Sequence, residues 1–180
     1  MTSYIGVAGA SQPDAALAAL AENLGLRLAQ AGATVVCGGG TGVMTAVCRG
    51  ARAAGGVTVG LLPGADRSSG NPYLTVALPT GLGEGRNLLL VRASDALVAV
   101  GGGFGTLSEI ALALRGGVPV IGLATWGLTL AGTPVDAFPA VESSEEAAQL
   151  ALEAARDRSP AAHRSGDPVV RRVRRVRRNR

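Results

Sequence analysis

The feature that most constrains the fold is a glycine-rich segment, Gly101 to Glu109, between two apolar patterns. Before it, the continuous apolar run Ala96 to Val100 is typical of a buried strand. After it, Leu107, Ile110 and Leu114 recur at helical spacing. The segment therefore predicts a strand, a tight glycine loop and a helix.

A loop of this kind is a candidate ligand site. Glycines let a ligand approach the backbone closely, and a helix N-terminus offers free N–H groups and partial positive charge to a phosphate. Glu109 adds a carboxylate one turn inside the helix, where the positive end should favour its ionised form. A phosphate cradle beside a carboxylate indicates nucleotide chemistry. An alternative stays open, because Thr106-x-x-Glu109 is also a capping box that would only satisfy backbone donors.

A second glycine loop, Gly38 to Gly42, follows another short apolar run, Thr34 to Cys37, and also opens a helix-like pattern. Two such loops in one domain are harder to explain by packing than one. The earlier turn, Gly6 to Ser11, is not GxGxxG, so a dinucleotide fingerprint is not supported.

Apolar runs and helical patterns alternate along the chain, which predicts a single-domain α/β fold: a doubly wound, Rossmann-like parallel sheet with helices on both faces. Gly9 to Ser11 and both glycine loops would then lie at the carboxyl ends of strands, where such folds bind ligands. We expect Asp14 to cap a helix to about Gln30, a capping box at 143–146 to start the last helix, and further helices near 43–55, 84–94 and 107–116. We expect a strand at 73–78, an irregular segment at 126–139 with a strand near Val135, and seven buried core residues: Leu17, Leu24, Val36, Val59, Val98, Val100 and Ile121.

Composition narrows the class. A chain of 180 residues with 47% hydrophobic and 3% aromatic residues suits one tightly packed layered domain. No apolar run reaches the ~20 residues of a membrane span, and the first ten residues lack the basic start of a secretory signal. Cys37 and Cys48 lack the spacing of a metal site or a disulfide framework. We therefore expect a cytoplasmic protein with two reduced thiols.

Two absences exclude reaction types. The sequence has no lysine, so it has neither a Walker-A lysine nor a pyridoxal-phosphate Schiff base. Its one histidine, His163, lies near the end, which excludes a Ser-His-Asp triad and a histidine metal site in the core. We expect no metal and no resident cofactor.

Residues 158–180 form a basic tail that holds nine of the 17 arginines, while residues 1–157 form the folded domain and are mildly acidic. A solvated, disordered tail is the favoured interpretation. A nucleic-acid or anionic-membrane arm and a readthrough end of a GC-rich coding sequence are the alternatives. A nucleic-acid partner ranks last, since only the tail suggests one.

The two glycine loops resemble those of the LOG family, the cytokinin riboside 5′-monophosphate phosphoribohydrolases, once labelled lysine decarboxylases. That family carries a PGGxGTxxE motif and an upstream arginine in an ERK-like segment; Arg86 stands 23 residues before Glu109. Gly101 replaces the motif's proline, and Gly85-Arg86-Asn87 replaces Glu-Arg-Lys. These departures make the chain similar to a bacterial LOG-like subgroup akin to the molybdenum cofactor carrier protein.

The resemblance implies a homodimer that splits the N-glycosidic bond of a nucleoside 5′-monophosphate, giving free base and ribose 5-phosphate. Glu109 would stabilise the oxocarbenium-like transition state, and Arg86 would hold the phosphate or sugar. The remaining contacts would come from Gly9, Ser11, Gly39, Gly40, Thr41, Gly42, Asn87, Gly102, Gly103, Gly105 and Thr106. The alternative is a carrier that binds a nucleotide or a phosphorylated pterin without cleaving it. A surface ion pair of Arg86 with Glu84 is the non-functional alternative for that arginine.

Overall fold

The computed structural model describes residues 2–158 and contains a seven-stranded parallel sheet. The strand order is β4-β3-β2-β1-β5-β6-β9, with β7 and β8 paired separately as an antiparallel ribbon. The strands are β1 (Tyr4–Gly9), β2 (Thr34–Cys37), β3 (Thr58–Leu62), β4 (Val76–Pro79), β5 (Ala96–Val100), β6 (Val120–Leu123), β7 (Thr129–Leu130), β8 (Thr133–Pro134) and β9 (Ala140–Val141).

Helices cover both faces of the sheet, as predicted. They are α1 (Ala15–Gln30), α2 (Val43–Ala53), α3 (Arg86–Arg92), α4 (Phe104–Gly116) and α5 (Ser144–Asp157). Strand residues alternate between two cores: Val98 packs with residues of α1, α2 and α5, whereas its neighbours Leu97 and Ala99 pack with residues of α3 and α4. This two-residue alternation confirms the doubly wound parallel fold.

The helix starts follow the capping residues that the sequence supplies. The Asp14 carboxylate accepts a hydrogen bond from the Leu17 N–H at 2.7 Å, and the Ser143 hydroxyl accepts one from the Glu146 N–H at 3.2 Å. Each bond satisfies a donor that the first turn leaves unpaired. Both predicted caps are confirmed.

Five of the seven predicted core residues are buried: Leu24, Val36, Val98, Val100 and Ile121. The prediction is wrong for Leu17 and Val59, which are only partly buried. Leu17 stands in the first turn of α1, close to Gly101, which follows the carboxyl end of the central strand β5. Val59 lies on β3, next to the edge strand β4, and packs against the second core from a partly buried position.

Three segments differ from their predicted bounds. The helix predicted at 84–94 begins at Arg86, after a 3₁₀ turn at Gly83–Gly85. The strand predicted at 73–78 begins at Val76, because the Asn71 side chain accepts the Tyr73 N–H and holds a turn there. The segment predicted as irregular contains β7 and β8, and the short edge strand β9 follows it.

The sheet order reverses between β1 and β5, which places a crevice at their carboxyl ends. Gly9 of β1 pairs with Val100 of β5, and Val7 pairs with Cys37 of β2, so the loops after all three strands meet at one edge. No helix among residues 2–158 has the length and apolarity needed to cross a membrane. Of the predicted tail, residues 158–180, all but Arg158 lie outside the described residues.

Candidate functional site

A cavity of about 630 Å³ lies at the reversal point of the sheet. The loop after β1, the start of α3 and the start of α4 supply most of its wall. Its lining comprises Val7, Ala8, Gly9, Ala10, Ser11, Gly38, Met44, Pro63, Gly83, Glu84, Arg86, Asn87, Gly103, Phe104, Gly105, Thr106, Ser108, Glu109 and Leu112.

The structure brings together eight of the predicted site residues on this lining: Gly9, Ser11, Arg86, Asn87, Gly103, Gly105, Thr106 and Glu109. Among the described residues, five predicted contacts do not line the cavity: Gly39, Gly40, Thr41, Gly42 and Gly102. Sequence reasoning missed Gly38, Phe104 and Ser108. Phe104 and Ser108 stand inside the glycine motif itself, which was the available signal.

Arg86 and Glu109 form an ion pair in the cavity wall. An Arg86 terminal nitrogen lies 3.2 Å from Glu109 Oε1, and the two side chains are 15% and 6% exposed. Arg86 is the first residue of α3, and Glu109 lies in the second turn of α4. This pairing replaces the surface pair with Glu84 that the sequence also allowed. The capping-box interpretation of Thr106 and Glu109 is also wrong, because the N-cap of α4 is Gly103 and Thr106 lies within the helix.

The backbone of Gly38 lies directly behind the Arg86 guanidinium. A Cβ atom at Gly38 would stand 2.3 Å from both terminal nitrogens, so no larger residue fits there with Arg86 in this position. Arg86 Nε is buried and has no hydrogen-bond partner. An unpaired buried donor is costly, and it shows that the protein leaves part of the hydrogen-bonding capacity of this guanidinium unused.

Burial raises the pKa of Glu109 to about 7, and the nearby Arg86 charge offsets part of this rise. Removal of the carboxylate from water outweighs the attraction of its cationic partner. The expected contribution of the helix N-terminus stays a prediction, and burial is the larger influence on the pKa of this carboxyl. Near neutral pH the carboxyl is only partly ionised, which leaves part of the Arg86 charge uncompensated.

The N-terminus of α4 opens towards the cavity. Gly103 is its N-cap and supplies no side-chain hydrogen bond, so the first N–H groups have no partner within the helix. A Cβ at Gly103 or Gly105 would meet no atom within 4 Å. Next to this helix start, the Asn87 amide donates to the Ser108 hydroxyl at 2.9 Å, and that hydroxyl donates to the Gly105 carbonyl at 2.7 Å. This chain ties α3 to the first turn of α4.

The departure from the family motif at Gly101 changes the backbone. Gly101 has φ of +62°, whereas the ring of proline fixes φ near −65°. A Cβ at this position would also stand 2.3 Å from Leu17 Cδ2. The loop therefore enters α4 through a turn that the motif's proline cannot adopt.

The second loop, Gly38 to Gly42, uses its polar groups within the protein. The Gly39 carbonyl accepts the Asn71 backbone N–H at 2.8 Å, and the Gly40 carbonyl accepts the Thr45 hydroxyl at 3.0 Å. The Val43 N–H, at the start of α2, donates to the Ala10 carbonyl at 3.0 Å. Thr41 donates to Ser11 at 3.4 Å. These bonds hold the loop against the turn after β1.

Phe104 lines the cavity at the start of α4, and Trp126 packs against it from outside the lining. The rings of Phe104 and Trp126 are 6.0 Å apart between centroids and tilted by 31°. Phe104 is 83% exposed. Trp126 Nε1 is buried without a partner, against the backbone of Gly102.

Residues 2–158 contain no group of three His, Cys, Asp or Glu side chains placed to hold a metal ion. The donors that line the cavity are backbone N–H groups, a guanidinium, an amide and hydroxyls. That donor set suits an anion such as a phosphate.

Comparison with known proteins agrees with this geometry. The SLOG cluster4 family matches residues 2–158. The molybdenum cofactor binding protein of Rippkaea orientalis is 33% identical with a TM-score of 0.78, covering 85% of this chain and 97% of that one. The molybdenum cofactor carrier protein of Chlamydomonas reinhardtii is 30% identical with a TM-score of 0.77, covering 88% and 100%.

An uncharacterized protein of Archaeoglobus fulgidus is 40% identical over 119 residues, which are 66% of this chain and 78% of that protein. The resemblance to LOG-like proteins related to the molybdenum cofactor carrier is thereby confirmed. Because the family model matches residues 2–158, which are all of the described residues, the chain belongs to the SLOG cluster4 family.

Proposed function

We propose that this protein binds the molybdenum cofactor, a phosphorylated pterin, or a closely similar phosphorylated small molecule, and carries it without cleaving it. One observation supports this most: the uncapped N-terminus of α4 and the Arg86 guanidinium face the same cavity. Backbone N–H groups and an arginine are the donors that hold phosphate in proteins.

The charge state of the pair supports anion binding. Arg86 carries a fixed positive charge, while burial raises the pKa of Glu109 to about 7. A phosphate would take the place of the partly neutralised carboxylate as a partner for Arg86.

The relatives support cargo binding over catalysis. Two proteins that share this fold at 30% and 33% identity are described as a molybdenum cofactor carrier and a molybdenum cofactor binding protein. A cavity of about 630 Å³ falls within the usual range for small-molecule sites. Residues 2–158 offer no group of side chains placed to hold a metal ion. The molybdenum would therefore arrive as part of the cargo.

The second candidate is the phosphoribohydrolase reaction. Its support is the ion pair itself, since Arg86 and Glu109 meet in the cavity at the positions that the LOG motif assigns to them. In that reaction the bond between the sugar carbon and the base breaks, the hydroxyl group of water bonds to that carbon, and the remaining proton of the water passes to the base. Ionised Glu109 would stabilise the positive charge that develops on the sugar. Activity would then need the carboxylate form, so it would rise with pH through about 7.

Two measurements on the same preparation test the proposal. The first is anaerobic gel filtration of the protein with molybdenum cofactor, followed by assay of molybdenum and pterin in the protein peak. The second is chromatography of base and ribose 5-phosphate after incubation with AMP, GMP and CMP. The carrier proposal predicts co-elution near one cofactor per chain and no base release. Base release without cofactor binding would favour the hydrolase.

Arg86→Ala should reduce cofactor retention by tenfold or more, because a charge-assisted bond to phosphate contributes roughly 1.5–3 kcal/mol. Arg92→Ala is the matched control. Arg92 is exposed on the same helix, and it is not part of the cavity lining. Equal loss in both variants would indicate a nonspecific charge effect and contradict the assigned role of Arg86.

Assembly as a homodimer stays a prediction. Leu88 and Leu89 of α3 are each 40% exposed, and Leu82, which precedes that helix in the chain, is 54% exposed. We propose that a second copy of the chain covers these leucines. Light scattering at micromolar concentration tests this, and a monomer there would contradict it.

A further inference from the structure

We propose that Phe104 stacks on the planar heteroaromatic ring of the cargo and so sets the preference for ring-bearing phosphates. This inference rests on the proposed function, and it assigns a residue to the part of the ligand that the phosphate donors do not reach. Phe104 lines the cavity, and the Trp126 ring lies beside it.

The exposure of Phe104 is the first observation. The sequence has only two phenylalanines and one tryptophan, so few aromatic side chains are available to the core. Phe104 nevertheless leaves 83% of its surface in solvent, more than any other large hydrophobic residue among those described. A single exposed apolar residue is ordinary, but this one lines the wall of a ligand-sized cavity.

The position of Phe104 is the second observation. It is the first residue of α4 and stands between Gly103 and Gly105, where added Cβ atoms would meet nothing within 4 Å. Phosphate donors and an apolar ring therefore occur on consecutive residues. A ligand that carries a phosphate close to a planar ring can occupy both at once.

Trp126 supports the Phe104 ring from one side. Its ring centroid lies 6.0 Å from that of Phe104, within the range of favourable aromatic pairs. The indole nitrogen is wedged against Gly102, where a Cβ would stand only 2.4 Å away. Trp126 is thus a positioning residue that restricts the Phe104 ring. The solvent-exposed surface of that ring remains available to a ligand.

The test compares ligands that differ by the ring. The probes are a pterin with a 6-phosphomethyl group, AMP and ribose 5-phosphate, titrated by calorimetry into the full-length protein and its variants. Trp126 is the only tryptophan in the sequence, so its fluorescence gives an independent readout beside Phe104. We expect at least one ring-bearing probe to bind more tightly than ribose 5-phosphate and to change that fluorescence.

Phe104→Leu keeps an apolar side chain and removes the ring. It should weaken the ring-bearing probe roughly 5- to 100-fold, the range for the loss of one aromatic stack, and leave ribose 5-phosphate within about twofold. Phe104→Tyr keeps the ring and should restore binding. Leu130→Ala is the control, since Leu130 is 60% exposed and does not line the cavity.

Each failure has a separate meaning. If the wild-type protein binds the ring-bearing probes but Phe104→Leu binds them equally well, the stacking role is overturned and the carrier proposal stands. If Phe104→Leu weakens ribose 5-phosphate to the same extent, Phe104 shapes the phosphate cradle and does not select the ring. If the wild-type protein binds neither these probes nor molybdenum cofactor, the proposed function fails, and this inference fails with it.

Discussion

The two glycine loops of this protein have similar sequences and different structures. Gly38 to Gly42 is closed by bonds to Asn71, Thr45 and the turn after β1, and the first N–H of α2 is already used. Gly101 to Gly105 leads into an uncapped helix that faces the cavity. Glycine in the first loop lets protein segments approach one another, while glycine in the second leaves room for a ligand.

A glycine-rich turn before a helix is therefore expected to bind a ligand only where its backbone N–H donors are unpaired. The closed loop still serves the site indirectly, because Gly38 leaves space for the Arg86 guanidinium. One loop thus positions the cationic side chain, and the other supplies backbone donors. The proposed phosphate site needs both.

The largest expected effect comes from adding one methyl group to each loop. Gly42 has φ of +67°, and a Cβ there would lie 2.4 Å from the Ser11 carbonyl oxygen. Gly42→Ala should therefore lower the free energy of unfolding by about 3 kcal/mol, from backbone strain and steric overlap. Urea denaturation measures this change.

Gly105→Ala should act in the opposite sense. Its Cβ meets no atom within 4 Å, and alanine is a better helix former than glycine by up to about 1 kcal/mol. We expect equal or greater stability, with at least tenfold weaker cofactor retention, since the methyl group occupies the phosphate cradle. The comparison between the loops is wrong if Gly42→Ala keeps the wild-type free energy of unfolding but loses the ligand. It is also wrong if Gly105→Ala retains the ligand.

The second effect is a pH dependence set by Glu109. As pH falls through about 7 the carboxyl takes up a proton, and its repulsion of a bound phosphate disappears. The affinity of the wild-type protein for a phosphorylated ligand should be about tenfold higher at pH 6 than at pH 8. Glu109→Gln, measured under the same conditions, is the control that corrects for titration of the ligand itself. Hydrolysis would show the reverse trend. A wild-type profile that matches Glu109→Gln would contradict the raised pKa.

Stability should follow the same ionisation. A carboxyl with a raised pKa binds its proton more tightly in the folded state, so protonation stabilises the fold. This contribution is present at low pH and is lost as pH rises from about 4.5 to about 7. Urea denaturation should show that the free energy of unfolding falls by up to roughly 3 kcal/mol across this window. In Glu109→Gln this dependence of stability on pH should be weaker. An unchanged slope in the variant would assign the pH dependence to other groups.

The smallest effect concerns the closed loop alone. Cys37 Sγ accepts the Gly39 N–H at 3.3 Å and lies 3.5 Å from Cys48 Sγ. Cys37→Ala should cost roughly 1–2 kcal/mol of stability, from the lost acceptor and a small cavity. Ligand affinity should stay within twofold. A tenfold loss of affinity without loss of stability would show that the closed loop contacts the ligand after all.

The sequence predicts the parallel fold well because strand runs, helix periodicity and caps are local signals. It also predicts that Arg86 and Glu109 share a site, through their motif spacing. It does not distinguish the two loops, because the difference lies in hydrogen bonds from distant residues such as Asn71. Strand β9 was missed since its two residues, Ala140 and Val141, carry no periodicity. The raised pKa of Glu109 was missed because it depends on burial.

The central claim is that the open loop at α4 holds a phosphorylated cargo intact. Gel filtration of wild-type protein and Gly105→Ala, each mixed with molybdenum cofactor under anaerobic conditions, tests it most directly. We predict molybdenum and intact pterin in the wild-type peak at about one per chain, and their loss from the Gly105→Ala peak although that variant is fully folded. Equal retention by both proteins, or retention by neither, would contradict the account.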